Sequence, residues 1–232
     1  MIRAIVLAAG ASSRMGQAKA ALPLGQTGET VVARVVRTLL AGGLPDVTVV
    51  AGAHIDAVRI AMPAFAEATA GRPAAIRARV IEHTGWEQGQ LSSLLAGLDA
   101  IDDPLLEGAL VTLVDVPLVS AATVAAVIAE WRRTRAAIVR PASGDRHGHP
   151  VIFDRTVFAD LRAANLAEGA KSVFRKHRVL DVEVDDPGAF EDIDTPGDYA
   201  NLQIAEVRSQ QIAEVRSKQI AEVRSKKSDL LT

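Results

Sequence analysis

The feature that most constrains this chain is an alternation of short apolar runs with segments of helical length. Runs at 2–7, 47–51, 77–81, 109–114, 137–139, 151–153 and 179–184 have strand length, and those at 2–7 and 109–114 are apolar enough to read as buried strands. Between them, 31–40 carries a helical pattern that stops at Gly42-Gly43, a C-terminal punctuation. The segment 91–100 places its apolar residues at 91, 94, 95 and 98, one face of a helix. Ser120 is suited to cap a helix running to about Trp131, because its hydroxyl accepts from the free N–H groups of a first turn. Strands alternating with such helices predict βαβ units with right-handed crossovers, and hence a mostly parallel sheet with helices on both faces. The expected fold class is α/β, a single three-layer domain. Ligands in such sheets bind beyond the carboxyl ends of the strands, so residues directly after strands are the candidates for chemistry.

Bulk properties narrow the function. At 232 residues one large domain is the better prior. Aromatic residues make up only 3%, so the core must be built from Ala, Val, Leu and Ile. A net charge of −2 provides no basic footprint and argues against a nucleic-acid partner. The absence of cysteine removes disulfides, thiolate metal sites and cysteine nucleophiles, and fits a reducing compartment. The apolar run behind Met1 is too short to span a bilayer and lacks the layout of a signal peptide. The expectation is a cytoplasmic protein with no membrane association.

From Gln203 to Lys226 the chain repeats an eight-residue unit three times, QIAEVRSQ, QIAEVRSK, QIAEVRSK. On a helix eight residues overshoot two turns by roughly 80°, so an apolar stripe would wind around the axis. The domain is therefore read as 1–202, with 203–232 a helical tail. Docking on a second copy to form a homo-oligomer is one role for the tail. The plain alternative is an in-frame duplication tolerated at a terminus.

The most informative segment follows the first strand, Leu7-Ala-Ala-Gly-Ala-Ser-Ser-Arg-Met-Gly-Gln-Ala-Lys19. A strand followed by a loop of glycine and small residues lets backbone N–H groups converge on an anion. Gly10 and Gly16 permit close approach and unusual dihedrals. Arg14 offers a planar fork for phosphate oxygens and Lys19 a mobile point charge. Other phosphate loops fit less well. The P-loop ending Gly-Lys-Ser/Thr is missing, and a dinucleotide fingerprint starting at Gly10 would need glycine where Ser12 and Met15 stand. A solvated small-residue turn is the bland alternative.

This segment closely resembles the signature of the GT-A-like, Rossmann-like nucleotidyltransferase superfamily, and within it the molybdenum cofactor cytidylyltransferases and their relatives. The resemblance runs from Met1 to about Leu202. It implies that Leu7, Ala8, Ala9, Gly10, Ser12, Ser13, Arg14, Gly16 and Lys19 bind the nucleotide. Guanylyltransferase relatives usually carry Leu-Ala-Gly-Gly with a second arginine. The Leu-Ala-Ala-Gly and Ser12-Ser13 found here favour a cytidine nucleotide by resemblance.

Phosphoryl-group transfer calls for charge neutralisation on negative oxygens, and Mg2+ commonly takes one or two carboxylates together with phosphates and water. Asp115 stands directly after the 109–114 run, where an acid is costly unless something cationic meets it. Thr195 reads as an N-cap with Pro196 next and Asp198 reaching back, which puts Asp194 one residue before a helix. Solvation suffices for Asp192 and capping for Asp198. The resemblance makes Asp115 and Asp194 the metal ligands for Mg2+, although Val116 replaces the glutamine that usually follows the aspartate. A shared ion requires their oxygens to lie within about 8 Å of each other.

Gly89-Gln-Leu-Ser-Ser-Leu begins a helix, and Ser92 and Ser93 either cap it or hold nucleotide. The family's similar segment favours the nucleotide. Its Gly-His-Pro segment implies that Gly148 and His149 line an acceptor pocket, the alternative being a structural turn. His147 and His149 lack a third ligand at zinc spacing. A family Gly-Asp-x-Gly-Ala-Arg element is represented by Leu166-Ala-Glu-Gly-Ala-Lys171, a departure that bears on the acceptor. The resemblance therefore implies a Mg2+-dependent transfer of CMP from CTP to a phosphorylated acceptor, molybdopterin favoured. Arg14, Lys19 and Asp115 would be the catalytic groups and pyrophosphate the leaving group. A transferase for sugar or alcohol phosphates and a non-catalytic nucleotide-binding assembly protein are the competing readings.

Overall fold

A computed structural model describes residues 1–62, 77–205 and 207. Its strands are β1 Ile2–Ala8, β2 Pro23–Leu24, β3 Glu29–Thr30, β4 Asp46–Ala51, β5 Arg77–Glu82, β6 Gly108–Leu113, β7 Ile138–Ser143, β8 Arg146–His147, β9 Val151–Asp154 and β10 Val179–Glu183. The helices are α1 Val31–Ala41, α2 Ile55–Ile60, α3 Gln90–Ile101, α4 Ala121–Thr134, α5 Phe158–Ala163 and α6 Lys171–Lys176, followed by α7 over 196–205. β2 and β3 form a separate antiparallel pair.

The main sheet runs β10-β7-β9-β6-β1-β4-β5, with β8 beside β7. Strands β5, β4, β1 and β6 are mutually parallel, and β10 is parallel to β7. The 151–153 run forms β9, which pairs antiparallel with both β6 and β7, and the short β8 is antiparallel to β7 as well. The sheet is thus mainly parallel, as the alternation predicts.

Two apolar layers clothe it. Ile2, Ala4, Val6 and Ala8 of β1 pack into one cluster with Val32, Val35, Val36 and Leu39 of α1 and Val124 and Val127 of α4. Ile5 and Leu7 face the other way, toward Leu91, Leu94 and Leu98 of α3 and Leu161 of α5. This two-sided burial explains why β1 and β6 carry so little alternation in sequence. Helix α3 approaches closely through Gly97, where a Cβ would sit 2.6 Å from Ile5 Cγ2. Helix caps follow the chemistry expected. The Ser120 side chain accepts from Thr123 N–H, and Thr30 accepts from Ala33 N–H.

Order in the sheet places the site. From β1 the chain moves to β4 and β5 on one side, then returns to β6 on the other. That reversal opens a crevice beyond the carboxyl ends of β1 and β6, the usual ligand position in an open α/β sheet. The 10–19 loop leaves β1 there and Asp115 follows β6. Most of the 203–226 repeat lies outside the described residues. At its start, the Gly25 N–H donates to Gln203 Oε1 at 2.7 Å, and Leu202 is buried, so the end of α7 is seated on the loop between β2 and β3. Among the described residues no helix is long and apolar enough to cross a membrane.

Candidate active site

The 10–19 loop is shaped by one residue in the left-handed region at each end of a turn. Ser12 has φ 50° and Gly16 φ 73°. The Ser12 carbonyl accepts from the N–H groups of Met15 and Gly16, and its Oγ accepts from Lys19 N–H at 3.3 Å. Gly10 is not in the left-handed region. Its contribution is an open face, with nothing within 4 Å of where a Cβ would stand. The unusual dihedral expected of Gly10 falls instead on Ser12, whose short side chain tolerates that region better than a bulkier one.

Lys19 opens a short helical turn, Lys19–Ala21, and its side chain is only 10% exposed. The ammonium meets Asp115 Oδ2 at 3.3 Å and Asp194 Oδ1 at 2.9 Å. Arg14 Nη1 reaches the other Asp194 oxygen at 2.8 Å, from a side chain that is 70% exposed. With one nitrogen touching both carboxylates, their oxygens cannot be farther apart than those two contacts laid end to end. That lies within the limit of about 8 Å for a shared ion, and gripping one octahedral ion with bonds of about 2.1 Å would draw the two oxygens to about 4 Å or less.

The chain makes this meeting through backbone contacts. The Asp115 carbonyl accepts from Ile193 N–H at 2.8 Å, which carries Asp194 alongside. The next turn is pinned by the capping box. Asp198 Oδ2 accepts from the N–H groups of Asp194 and Thr195, and Thr195 Oγ1 accepts from Asp198 N–H. The Lys19 hydrogen bond, then the charges of Lys19 and Arg14, hold the Asp194 carboxyl below its ordinary value against the opposing effect of burial. The Asp194 carboxylate therefore stands as an anion ready for a cation. Asp115 Oδ1 is buried and has no hydrogen-bond partner, an orphaned acceptor of the kind a metal ion satisfies. No group of three or more His, Asp or Glu side chains converges on one point among the described residues. The donor set is two carboxylates beside the glycine-bearing 10–19 loop, which suits Mg2+ completing its shell with other oxygens and water.

Three hollows lie at this end of the sheet, and two of them border Asp115. One of about 210 Å³ is lined by Leu7, Ala8, Gly10, Ser12, Ser13, Arg14, Lys19, Asp115 and Asp194, bringing most of the sequence-predicted phosphate residues together. His54, which sequence reasoning missed, joins its wall, with Nε2 2.9 Å from the Ala11 carbonyl. Its position just beyond the carboxyl end of β4 was the available signal. Ala9 and Gly10 continue into a second hollow of about 350 Å³ with Trp86, Gln90, Ser93 and Asp115. Gly16 closes the turn and is not among the lining residues of either.

The two serines part company. Ser93 lines the second hollow. The Ser92 hydroxyl is spent on the fold, donating to the Gly89 carbonyl at 2.7 Å and lying 3.0 Å from His83 Nε2.

The third hollow, about 530 Å³, is floored by Leu91, Leu94, Val111, Val151, Phe153 and Phe174. Arg140 and Lys171 add positive charge, His147 lines it beside them, and the whole 166–171 segment forms one wall. Gly148 and His149 also line it. Burial pushes the His149 imidazole below its ordinary value, opposed by the Val111 carbonyl and the charges of Asp115 and Asp192. Leu7 belongs to all three hollows, so the end of β1 is their common floor.

The molecule is thus an α/β protein with a two-carboxylate centre in a polar cavity, and a larger, apolar-floored hollow that shares Leu7 with it. The sequence profile of the MobA-like NTP transferase domain matches residues 4–182. The chain is 29% identical over 202 residues to nicotine blue oxidoreductase from Paenarthrobacter nicotinovorans, covering 84% of this chain and 92% of that protein. It is 30% identical over 199 residues to the purine catabolism protein PucB from Bacillus subtilis, again covering 84% and 92%. Among solved structures it is similar to Rv0371c from Mycobacterium tuberculosis H37Rv, with TM-score 0.68 and 30% identity over 87% of this chain and 96% of that one. The same protein is also solved as a complex with manganese, at TM-score 0.64 and 27% identity, with 87% and 97% covered. The chain belongs to the MobA-like NTP transferase family. Its chemistry at that level is NTP-dependent nucleotidyl transfer.

Proposed function

We propose that this chain transfers a nucleoside monophosphate, CMP first among them, from a nucleoside triphosphate to a phosphorylated acceptor, with molybdopterin the favoured acceptor. The observation that carries the reading is the meeting of Asp115 and Asp194 on one buried lysine beneath the 10–19 loop. In this reading the triphosphate lies over Gly10, Ser12 and Ser13, with Leu7, Ala8, Ala9 and Gly16 shaping the loop. The base and ribose extend toward Ser93, whose helix start Ser92 holds in place.

A Mg2+ ion held by Asp115 and Asp194 would neutralise phosphate charge and make the α-phosphorus more electrophilic. The manganese complex of the similar mycobacterial protein supports a divalent ion in such a fold. An oxygen of the acceptor phosphate attacks the α-phosphorus in line. The bond to the bridging α–β oxygen breaks, and pyrophosphate leaves with its electron pair. A phosphate dianion needs no base, so the protein's work is positioning and charge stabilisation. Arg14 and Lys19 stabilise the departing pyrophosphate.

Gly148 and His149 border the acceptor hollow, where an apolar floor with Phe153 and Phe174 suits a flat heterocycle and the cations Arg140 and Lys171 suit its phosphate. The departure at 166–171 keeps a sugar or alcohol phosphate as the second acceptor reading, since that segment is a wall of the same hollow. We place the catalytic domain at 1–202 and assign 203–232 to a tail available for contact with a second copy.

Pyrophosphate release with CTP, GTP, UTP or ATP, crossed against pterin and sugar phosphates, tests this. Turnover with CTP and a pterin phosphate is expected. Turnover with sugar phosphates alone would replace the acceptor, and binding without turnover on any pair would leave the assembly-protein reading.

A further inference from the structure

In the free protein the two groups that should meet the phosphates are instead bound to the groups that should meet the metal. Lys19 holds both carboxylates, at 3.3 and 2.9 Å, and Arg14 holds the remaining Asp194 oxygen at 2.8 Å. Two positive and two negative side chains thus cancel. We propose that Lys19 is an internal counter-ion that closes the carboxylate pair to a bare divalent cation, so that the site takes the cation only together with a triphosphate. This rests on the nucleotidyltransferase reading of the same site.

A bare cation can gather Asp115 and Asp194 only by stripping Lys19 of both partners. That leaves an ammonium, with a side chain only 10% exposed, unpaired beside a dication. An ammonium stranded away from water and next to like charge is strongly disfavoured. A bare triphosphate meets the mirror problem. It draws Lys19 and Arg14 to its own oxygens and leaves two carboxylates unpaired against a polyanion.

Together the two ligands permit a clean exchange of partners. The carboxylates turn to the cation, the ammonium and guanidinium turn to phosphate, and none of the four side chains is left unpaired. Such coupling between ligands is typically about 5- to 150-fold in affinity. The parts for the exchange are present. Lys19's backbone is fixed, its N–H to Ser12 Oγ at 3.3 Å and its carbonyl to Leu22 N–H at 3.2 Å, so only the flexible stem has to swing. Arg14 is 70% exposed and free to turn. Asp115 Oδ1, buried and unpartnered, is a first foothold for the arriving cation.

The test is Mn2+ binding to the full chain without nucleotide, followed by the electron paramagnetic resonance of free Mn2+. Wild type is expected to bind Mn2+ alone only weakly, and Lys19→Met to bind it at least about tenfold more tightly. Lys19→Arg, which keeps a cation between the carboxylates, should stay near the wild type. Wild-type binding as tight as that of Lys19→Met overturns the proposal. Should Lys19→Met fail to fold, the wild type alone decides, because micromolar Mn2+ binding without nucleotide contradicts a closed pair and its absence supports one. If the wild type takes up no Mn2+–triphosphate complex with any of the four nucleotides, the nucleotidyltransferase reading fails. The metal-alone comparison still judges the counter-ion separately.

Discussion

Replacing Gly148 by alanine should damage the acceptor hollow in a way that can be worked out from neighbouring atoms. A Cβ at this position would lie 2.1 Å from the Ala189 carbonyl oxygen and 2.8 Å from Phe190 Cδ1. The carbonyl cannot turn aside without loss, because it accepts from His149 N–H at 2.9 Å. Gly148's own N–H donates to the Pro141 carbonyl at 3.1 Å, so withdrawal of 147–149 strains that bond as well. Overpacking of a tight contact costs about 1–3 kcal/mol, and one backbone hydrogen bond lost adds about 1 kcal/mol. The sum, roughly 2–4 kcal/mol, corresponds to a drop in melting temperature of roughly 5–15 °C for a domain of this size. Circular dichroism melts measure it. The displaced Gly148-His149 edge should also raise KM for the acceptor while leaving stabilisation by nucleotide almost intact. A Gly148→Ala protein melting within about 2 °C of wild type would refute the packing described at this edge.

Asp115→Asn should lower pyrophosphate release by about a hundredfold or more, since charge stabilisation at the reacting phosphate is lost. Its melting should move by only a few degrees, because Lys19 keeps Asp194 at 2.9 Å; unchanged turnover would remove Asp115 from the mechanism. Trp131→Phe removes a buried donor to Asp154 Oδ2, a 3.2 Å hydrogen bond, and should cost about 1–3 kcal/mol in urea unfolding. An effect below about 0.5 kcal/mol would mean that this bond contributes little. His149 supplies a pH test. Its folded value lies below its ordinary 6.5 because burial disfavours the cation. The unfolded chain therefore binds a proton first, and stability falls as pH drops below 6.5, with a slope of at most about 1.4 kcal/mol per unit. His149→Asn should flatten that slope, and an unaltered slope would show that His149 is not its source.

Much of this was legible in sequence because of where the strands lie. β1 and β6 are covered on both faces, so they appear as apolar runs, and an acid directly after one of them, Asp115, stands out. Thr195, Pro196 and Asp198 announced a capped helix through local chemistry, and Asp194 came with them. The loop at 10–19 was readable because its cations are close in sequence to its glycines. What was hidden depended on pairing and direction. Nothing in Val151–Asp154 states that β9 runs antiparallel to β6, since apolar character does not encode strand sense. Helices α2, α5 and α6 have six residues each, too few for a periodic pattern. Ser92 and Ser93 look alike in the chain, yet only rotation about the helix axis decides that one hydroxyl closes on Gly89 and the other faces the cavity. The union of Lys19 with two distant carboxylates is likewise a property of the folded sheet.

The central claim is that a triphosphate and a divalent cation bind together where Asp115 and Asp194 meet the 10–19 loop. Thermal melting with CTP, GTP, UTP and ATP, each with and without Mg2+, tests it most directly, because a ligand held only by the folded state raises stability by about 2.7 kcal/mol at a hundred times its Kd. A clear rise is expected with Mg2+ and CTP together, and little with either alone or in Asp194→Asn. Melting curves that none of the four nucleotides shifts, or a shift of equal size in Asp194→Asn, would contradict it.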